Sequence, residues 1–348
     1  MSERSFSNLQ RLATAPTAVG LATRLALSHL ERQGLDPVPL LKRSGLSRTS
    51  LARGARVSAV SQIGFLEEVA RATGDNWIGL TLAADFDLRE TGMLYYVAAS
   101  SHQLGEALAR LERYVRLGNE SVIAQLDKGV PGRIRVSYLG VPRHRDRHFM
   151  EFLALVVVRL SRHLVGQDVA PAAVGFVHHR TGDQRRVQRI LGCDVEFGAS
   201  SDEIRFNAAS MELTLLGDDP FLNRLMVNMC EEAIATRSPN ISPFRTTLEN
   251  VIAPLLPHAR ANAKAVAATI GLSERTFARR MAAEGLSFGG ILDDLRRDLA
   301  MRYLREDFQV SQIAWLLGFQ QPSSFTHACR RWTGKSPSAL RRNGGPAS

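Results

Sequence analysis

One arrangement of small, flexible and aromatic residues occurs twice near the C-terminus, 47 residues apart. Ala267 lies four residues before Gly271, and Phe277 lies six residues after it. In a helix-turn-helix the alanine is small because the second helix crosses there, the glycine makes the tight turn, and the aromatic side chain anchors the second helix. The second copy has Ala314, Gly318 and Phe325, with the phenylalanine seven residues after the glycine instead of six. The sequence therefore predicts two helix-turn-helix motifs.

The second helix of each motif presents different side chains on its outward face. Phe277 and Met281 of the first motif are predicted to point inward, since residues four apart share one helix face. The outward residues are then Arg275, Arg279 and Ala282. In the second motif the predicted inward residues are Phe325, Cys329 and Trp332, and the outward ones are Ser323, His327 and Arg330. Arginine pairs bidentately with guanine, so we expect the first motif to be the stronger reader of bases.

Residues 287–307, between the two motifs, are predicted to form one helix. Leu292, Leu295 and Leu299 recur there at helical spacing. At 1.5 Å per residue, roughly 19 residues span about 28 Å. That length approaches the ~34 Å between successive major-groove faces on one side of B-DNA. We therefore expect one polypeptide to present two recognition helices to adjacent major-groove segments.

Positive charge is concentrated in the same part of the chain. The 348 residues carry a formal charge of +10, from 44 basic and 34 acidic side chains. Residues 242–348 hold 15 of the basic and 8 of the acidic ones, and so supply +7 of the excess. A basic segment joined to a near-neutral one is typical of nucleic-acid binding coupled to a second task.

Three stretches of residues 245–342 closely resemble the DNA-binding domain of AraC/XylS-type transcriptional regulators. They are SERTFARRMAAEGLSF, LDDLRRDLAMRYL and IAWLLGFQQPSSFTHACRRWTGKSP. The resemblance implies base contacts by Arg275, Ala278 and Arg279 in the first recognition helix, and by Pro322, Ser323, Ser324 and His327 in the second. The sequence departs from the family at His327, commonly arginine, at Cys329, commonly phenylalanine, and at Leu340, commonly aromatic. The candidate phosphate contacts are Lys264, Arg330, Arg331 and Lys335.

The part of the chain before this segment is predicted to mix helices and strands. Apolar spacing indicates helices at 16–33, 58–73, 103–117, 145–164 and 184–191. Strands are indicated at 121–126 and 133–139, which form a hairpin, and at 173–178, 195–197 and 203–206. The predicted fold class is therefore α+β, with a mixed N-terminal domain and an all-α C-terminal domain.

Two prolines mark a break at residues 237–243, where turn residues interrupt the helical pattern. We accordingly divide the chain into a regulatory domain (1–237), a linker (238–243), a DNA-binding domain (244–342) and a tail (343–348).

The N-terminal domain also resembles a known one, through GLDPVPLLKRSGLS, TGMLYYVAASSHQLGEALARLERYVRL and RILGCDVEFGASSDEIRF. These runs are similar to the effector domain of the ornithine-utilisation type of AraC-family activators. The resemblance implies a small-molecule effector sensed by residues 20–210, and it leaves open which molecule and which residues bind it.

Enzymatic and metal-binding functions have little support in the sequence. His144 and His148 stand four apart without a third ligand, so we interpret them as a solvated helix start and expect no metal or other cofactor. Cys193 follows three arginines and is the one candidate for an activated thiol, although apolar packing is the simpler interpretation. Adjacent acidic pairs such as Glu67–Glu68 point apart on a helix, unlike a catalytic pair.

We therefore expect a non-enzymatic, cytoplasmic, sequence-specific transcriptional regulator, and an activator, that binds double-stranded DNA, an effector and RNA polymerase. A homodimer is an open possibility, and the longest apolar run, Phe152 to Val158, is too short to span a membrane. Two alternatives remain at this point. One is a DNA-binding regulator with a ligand-free dimerisation domain, and the other is a Cys193-dependent DNA alkyl-transfer enzyme.

Overall fold

A computed structural model describes residues 15–52, 55–236, 244–306 and 308–342. These residues form two compact units. The first contains the described residues before 237 except 180–182, and the second contains 180–182 and the described residues from 244 onward. Within the described ranges no helix has both the length and the apolar character needed to cross a membrane.

Ten helices of the first unit can be named in chain order. They are α1 (Leu21–Arg32), α2 (Val38–Arg43), α3 (Ala59–Thr73), α4 (Ile78–Ala84), α5 (Met93–Ala99), α6 (Leu104–Gly118), α7 (His148–Val165), α8 (Gln184–Leu191), α9 (Ala208–Met211) and α10 (Pro220–Ala235). Short 3-10 turns at Thr49–Leu51, Leu88–Thr91 and Arg143–Arg145 supplement them.

A five-stranded mixed sheet accompanies these helices, beside a two-stranded pair of β1 (Thr17–Ala18) and β2 (Val57–Ser58). Its strands are β3 (Val122–Leu126), β4 (Arg133–Tyr138), β5 (Ala173–Phe176), β6 (Asp194–Phe197) and β7 (Asp202–Arg205). The spatial order is β3-β4-β7-β5-β6. Only the β5–β6 pair is parallel, with α8 in the connection between them, while the other neighbours are antiparallel. The predicted hairpin is confirmed as β3 and β4.

Helix α7 is the most buried long helix of this unit. Thirteen of its 18 residues are buried, most of them apolar, so the helix packs inside the protein rather than at its surface. The Asp146 carboxylate caps its start by accepting hydrogen bonds from the backbone N–H groups of Phe149 and Met150. The helix ends at Val165, and the next residue, Gly166, has a φ of 71° in the left-handed region that favours glycine.

The second unit consists of helices throughout residues 244–306 and 308–342. They are α11 (Phe244–Ile252), α12 (Ala263–Thr269), α13 (Glu274–Ala283), α14 (Phe288–Arg305), α15 (Val310–Leu316), α16 (Pro322–Thr333) and α17 (Pro337–Arg342), with 3-10 turns at Ala253–Leu255 and Pro257–Ala259. One apolar core joins them, including Phe277, Leu295 and Phe325.

The predicted α+β class is confirmed. The helix predicted at 145–164 begins at His148, and the helix predicted at 287–307 spans Phe288–Arg305, with Ser287 as its cap. The linker predicted at 238–243 and the tail at 343–348 lie outside the described residues.

Candidate nucleic-acid interface

The first helix-turn-helix motif consists of α12 and α13. Gly271 between them has a φ of 71°, a conformation that glycine adopts without strain. Ala267 is fully buried, as the close packing of the two helices requires, and Phe277 anchors α13 in the core. The Ser273 hydroxyl accepts a hydrogen bond from the Thr276 backbone N–H at 3.3 Å and caps α13. The structural roles predicted for these residues are confirmed.

Two unpaired arginines lie on the outward face of α13. Arg275, Ala278 and Arg279 are exposed, while Phe277 and Met281 are buried. Across the described part of the chain, neither Arg275 nor Arg279 has an ion-pair partner.

Arg280, the next residue, is held differently. Its guanidinium carbon lies 4.1 Å from the centre of the Phe244 ring, and its Nε donates to Glu284 at 3.4 Å. Arg280 is therefore engaged within the unit, whereas Arg275 and Arg279 present their five-donor guanidinium groups to solvent.

The second motif, α15 and α16, has the same framework in a more crowded setting. Ala314 and Phe325 are buried, and Gly318 has a φ of 73°. A Cβ atom at Gly318 would lie 2.3 Å from the carbonyl oxygen of Leu256, so the backbone of another segment occupies the space that a side chain would need. Pro322 occupies the first turn of α16, where its missing N–H costs nothing.

The outward face of α16 is polar but carries less charge than that of α13. Ser323, Ser324, His327 and Arg330 are exposed, as predicted. Cys329 is buried and Trp332 is half-buried against the core, while Ala328 completes the inward stripe.

The four candidate phosphate contacts are all exposed, namely Lys264, Arg330, Arg331 and Lys335. Arg331 differs from the others because its guanidinium donates to the Asp293 carboxylate at 2.7 Å. The Trp332 indole N–H donates to the same carboxylate at 2.9 Å. Since 64% of the Arg331 side chain remains exposed, Asp293 fixes its position without hiding it.

Sequence reasoning missed the role of Arg296 on α14. Its Nε donates to the carbonyl oxygen of Leu317 at 2.8 Å, and its guanidinium also lies over the Phe319 ring, 4.7 Å from the centre. Partial burial lowers the pKa of Arg296. The signal was present in the sequence: Arg296 lies four residues after Leu292 and three before Leu299, which places it on the apolar face of the helix. Arg296 thus ties the linking helix to the turn of the second motif.

The interpretation of His144 and His148 as a solvated helix start is wrong. They are only 8% and 2% exposed, and of the charged residues between them Asp146 and Arg147 are buried too, while Arg145 is exposed. Burial is tolerated because partners distant in sequence neutralise the charges, as when Arg143 forms a two-pronged ion pair with Asp202, both contacts at 2.6 Å. The described residues contain no group of three or more His, Cys, Asp or Glu that could hold a metal ion.

His178 belongs to the same buried network. Its Nε2 lies 2.9 Å from the Glu151 carboxylate, and its Nδ1 accepts from Arg143 at 3.0 Å. His178 therefore stabilises the interior of the first unit.

Cys193 is not an activated nucleophile. Burial, with Asp194 adding to it, raises the pKa of the thiol to about 11, the opposite of what its arginine neighbours suggested. A thiol that stays protonated at neutral pH is a poor nucleophile. The alkyl-transfer alternative loses its one candidate residue.

Comparison with known proteins covers both units. Residues 34–215 match the family model described as the arabinose-binding N-terminal domain of the AraC transcription regulator. Residues 266–343 match the model of a helix-turn-helix domain.

Relatives that match over most of their length are named as regulators. The transcriptional regulator VirS of Mycobacterium tuberculosis is 26% identical over 319 residues, which cover 90% of this chain and 92% of that protein. The ornithine utilization regulator of Pseudomonas aeruginosa is 26% identical over 317 residues, 87% of this chain and 93% of that protein. The crystal structure of the regulator CdpR from Pseudomonas aeruginosa aligns with 92% of this chain and 98% of its own, at 21% identity and a TM-score of 0.45.

Proposed function

Since this chain belongs to the family of AraC transcription regulators and is a DNA-binding regulator, not an enzyme, we propose that it activates transcription in response to a small molecule. In this proposal its two helix-turn-helix motifs read adjacent major-groove segments of a promoter in the cytoplasm, and its first unit binds the effector. The observation that carries the DNA-reading part is the pair of exposed, unpaired arginines on α13.

The first motif supplies the strongest base contacts in this proposal. Arg275 and Arg279 lie four residues apart, on one face of α13, with the small side chain of Ala278 between them. Small size at Ala278 allows the helix to approach the base edges closely. Each arginine has the geometry for a two-pronged hydrogen bond to the O6 and N7 atoms of a guanine.

The second motif reads more weakly, through Ser323, Ser324 and His327. The surrounding cations, Lys264, Arg330, Arg331 and Lys335, are assigned to phosphates, and their exposure supports this assignment. Phosphate contacts displace condensed counterions, so affinity for DNA should fall steeply with salt concentration.

Genome-wide occupancy tests the DNA-reading proposal even though the operator sequence is not known. The wild type is compared with an Arg275→Ala, Arg279→Ala double variant during growth on several carbon and nitrogen sources. We expect sharp peaks that disappear in the double variant.

Arg297→Ala is the matched control, because Arg297 is an exposed arginine of the same unit whose ion pairs are with Asp294 and Asp298 on its own helix. Peaks that survive in the double variant, or that disappear equally in the control, would contradict the assignment of Arg275 and Arg279.

Effector binding is supported by a cavity of about 120 Å³ inside the first unit, bordered by residues of several helices. A ligand changes the conformational equilibrium of the regulator only if it binds one state more tightly than the other.

In the activator proposal the ligand-favoured state recruits RNA polymerase. In vitro transcription from a promoter found by occupancy, with and without metabolites of the neighbouring genes, tests this: an unresponsive promoter that the protein nevertheless occupies would contradict activation.

Self-association through α10 is a second part of the proposal. Asn223, Met226 and Cys230 bury one face of this helix, while Phe221, Leu225 and Met229 lie exposed at every fourth residue on another. Phe221 is 72% exposed, and an apolar stripe of this kind is typical of an interface. Sedimentation analysis of the wild type and of Leu225→Arg tests this interface. We expect the wild type to sediment as a dimer and the variant as a monomer, and identical sedimentation of the two would contradict self-association through α10.

A ligand-free dimerisation domain remains the alternative for the first unit. It predicts that no metabolite raises the melting temperature of that unit, whereas effector binding predicts stabilisation by mass action.

A further inference from the structure

An apolar cavity lies within the first unit, among residues from the starts of α1 and α5 and from α3, α6 and α7. The apolar run that the sequence presents at Phe152 to Val158 forms part of its wall. Six residues of α7 line it at spacings of three and four, so they form one continuous helix face: Phe149, Phe152, Leu153, Val156, Val157 and Leu160. Leu111 and Val115 of α6 also line the cavity.

Among the residues that the structure describes, no charged side chain lines this cavity. An ion placed in such an environment would lose its hydration without gaining a partner, at a large cost in free energy. A sugar, with a hydroxyl group on nearly every carbon, would likewise leave most of its hydrogen-bonding groups unpaired. The lining therefore selects for an uncharged, mainly apolar molecule.

Three uncharged polar side chains also border the cavity, namely Gln62, Thr91 and Asn119. The Thr91 hydroxyl donates to the Leu88 carbonyl oxygen at 2.7 Å, and the Asn119 Oδ1 accepts hydrogen bonds from Ser121. Gln62 differs from both. Gln62 of α3 is 1% exposed and borders the cavity, and its Oε1 accepts a hydrogen bond from the Thr23 hydroxyl at 3.4 Å. Its Nε2 is fully buried and has no hydrogen-bond partner within the described ranges of the chain. Buried amide groups are normally satisfied, and an unsatisfied donor at the wall of a cavity is what a ligand acceptor would complete.

The size of the cavity limits the ligand. Its volume of about 120 Å³ is close to the ~150 Å³ of an engineered apolar cavity that holds one benzene ring. The space thus suits one six-membered ring or a short alkyl chain, together with one polar atom.

We propose that this cavity is the effector site, and that it binds a small, uncharged, apolar molecule whose one hydrogen-bond acceptor, such as a carbonyl oxygen, receives the Gln62 Nε2–H. The effector role rests on the proposed function above, whereas the existence and chemistry of the binding site rest on the cavity and Gln62. Apolar burial supplies the affinity for the ligand, and the amide donor selects ligands with an acceptor at one position.

Two probes of the same shape separate these contributions. Cyclohexanone and methylenecyclohexane differ in one atom position, where the carbonyl oxygen of the first replaces the CH₂ group of the second. Both are titrated into the full-length protein with methyl-labelled leucine and valine, and binding is followed by NMR. We expect saturable shifts at Val156 and Val157 with both probes, and none with cyclohexanecarboxylate or arabinose.

The Gln62→Leu variant then tests the amide, because leucine keeps a similar volume without the donor. We expect it to bind cyclohexanone roughly tenfold more weakly, the effect of one buried hydrogen bond, and methylenecyclohexane at least as well as the wild type does. Gln167→Leu is the control, since Gln167 is an exposed glutamine outside the cavity. Should Gln62→Leu fold poorly, the double variant Thr23→Val, Gln62→Leu replaces both partners of the hydrogen bond and keeps the site apolar.

Val157→Phe fills the cavity and should abolish the binding of both probes. Equal losses for the two probes in Gln62→Leu, an unchanged affinity in Val157→Phe, or saturable binding of arabinose would overturn the proposal. DNA occupancy of the Arg275→Ala, Arg279→Ala variant does not depend on this cavity, so failure here leaves the DNA-reading proposal standing, and the reverse also holds.

Discussion

The two helix-turn-helix motifs share a framework and differ in what surrounds it. Each has a buried alanine, a glycine with φ near 70° and a buried phenylalanine. The turn of the first motif has open space around Gly271, whereas the Leu256 carbonyl crowds Gly318 and Arg296 donates to the carbonyl of Leu317.

The second motif is the more tightly packed of the two, but the first motif carries more charge on its outward face. The first motif exposes two arginines that have no ion-pair partner in the described part of the chain, and the second exposes two serines, a histidine and one arginine, Arg330. The comparison teaches that packing maintains the helix-turn-helix framework, while the positions proposed to contact bases lie at the surface and differ between the two motifs. The motif that is anchored more tightly within the unit is the one expected to read less.

The largest expected difference concerns the two turn glycines. Gly318→Ala adds a steric overlap with the Leu256 carbonyl to the strain of a positive φ, and should lower the free energy of unfolding by about 3 kcal/mol. Gly271→Ala carries only the strain and should cost about 1 kcal/mol. Urea unfolding followed by fluorescence of Trp315 and Trp332, both in the second unit, measures this. Equal losses would show that the crowding at Gly318 is easily relieved.

Alanine substitutions of outward side chains compare how much each motif contributes to the binding of a promoter fragment. Arg279→Ala should weaken binding to a promoter fragment by about 2 kcal/mol and relax the preference at one base pair, because a two-pronged contact is lost. His327→Ala should cost less than about 1 kcal/mol, since a single weaker contact is removed. Fluorescence anisotropy with labelled DNA provides both values, and a larger loss for His327→Ala would reverse the ranking of the motifs.

The anchoring of the second turn is tested at α14. Arg296→Met removes the donor to the Leu317 carbonyl and should lower the free energy of unfolding by about 1.5 kcal/mol, in the range for charged hydrogen bonds. Arg297→Met is the neighbouring control and should change it by no more than about 0.5 kcal/mol, because its side chain is exposed. If both variants were equally stable, Arg296 would not anchor the turn.

The smallest effect is a gain. His327→Arg places an arginine on the weaker recognition face and should tighten binding by about 1 kcal/mol. The dependence of affinity on salt should also steepen by about one unit of slope if the new cation lies near phosphate. Titrations at several NaCl concentrations measure both, and unchanged affinity and slope would mean that His327 does not face DNA.

The second unit was largely predictable from the sequence because its signals are local. Ala267, Gly271 and Phe277 lie within eleven residues, and the repeat of their spacing fixes the fold of the segment. The β3–β4 hairpin was predictable for the same reason, since its turn residues lie between the two strands. The roles of Arg275 and Arg279 in DNA binding stay predictions.

Other features depend on residues distant in sequence, which periodicity does not reveal. The pairing of β7 between β4 and β5 could not be read from the chain, nor could the burial of His144, since charged residues are normally interpreted as solvated. Arg143 lies in a 3-10 turn and can be buried because Asp202 of β7 neutralises its charge. The cavity beside Gln62 likewise arises where several helices converge.

Helix α14 sets the distance and the relative rotation between the two motifs. It is continuous over 18 residues and therefore about 27 Å long. Inserting one residue would advance its end by 1.5 Å and rotate it by about 100°, which would turn the outward face of α16 away from the direction in which α13 presents Arg275 and Arg279. If the two motifs read adjacent DNA segments as proposed, substitutions on α13 and α16 should change single base preferences. The spacing between the two segments should change only when an insertion in α14 also restores its rotation.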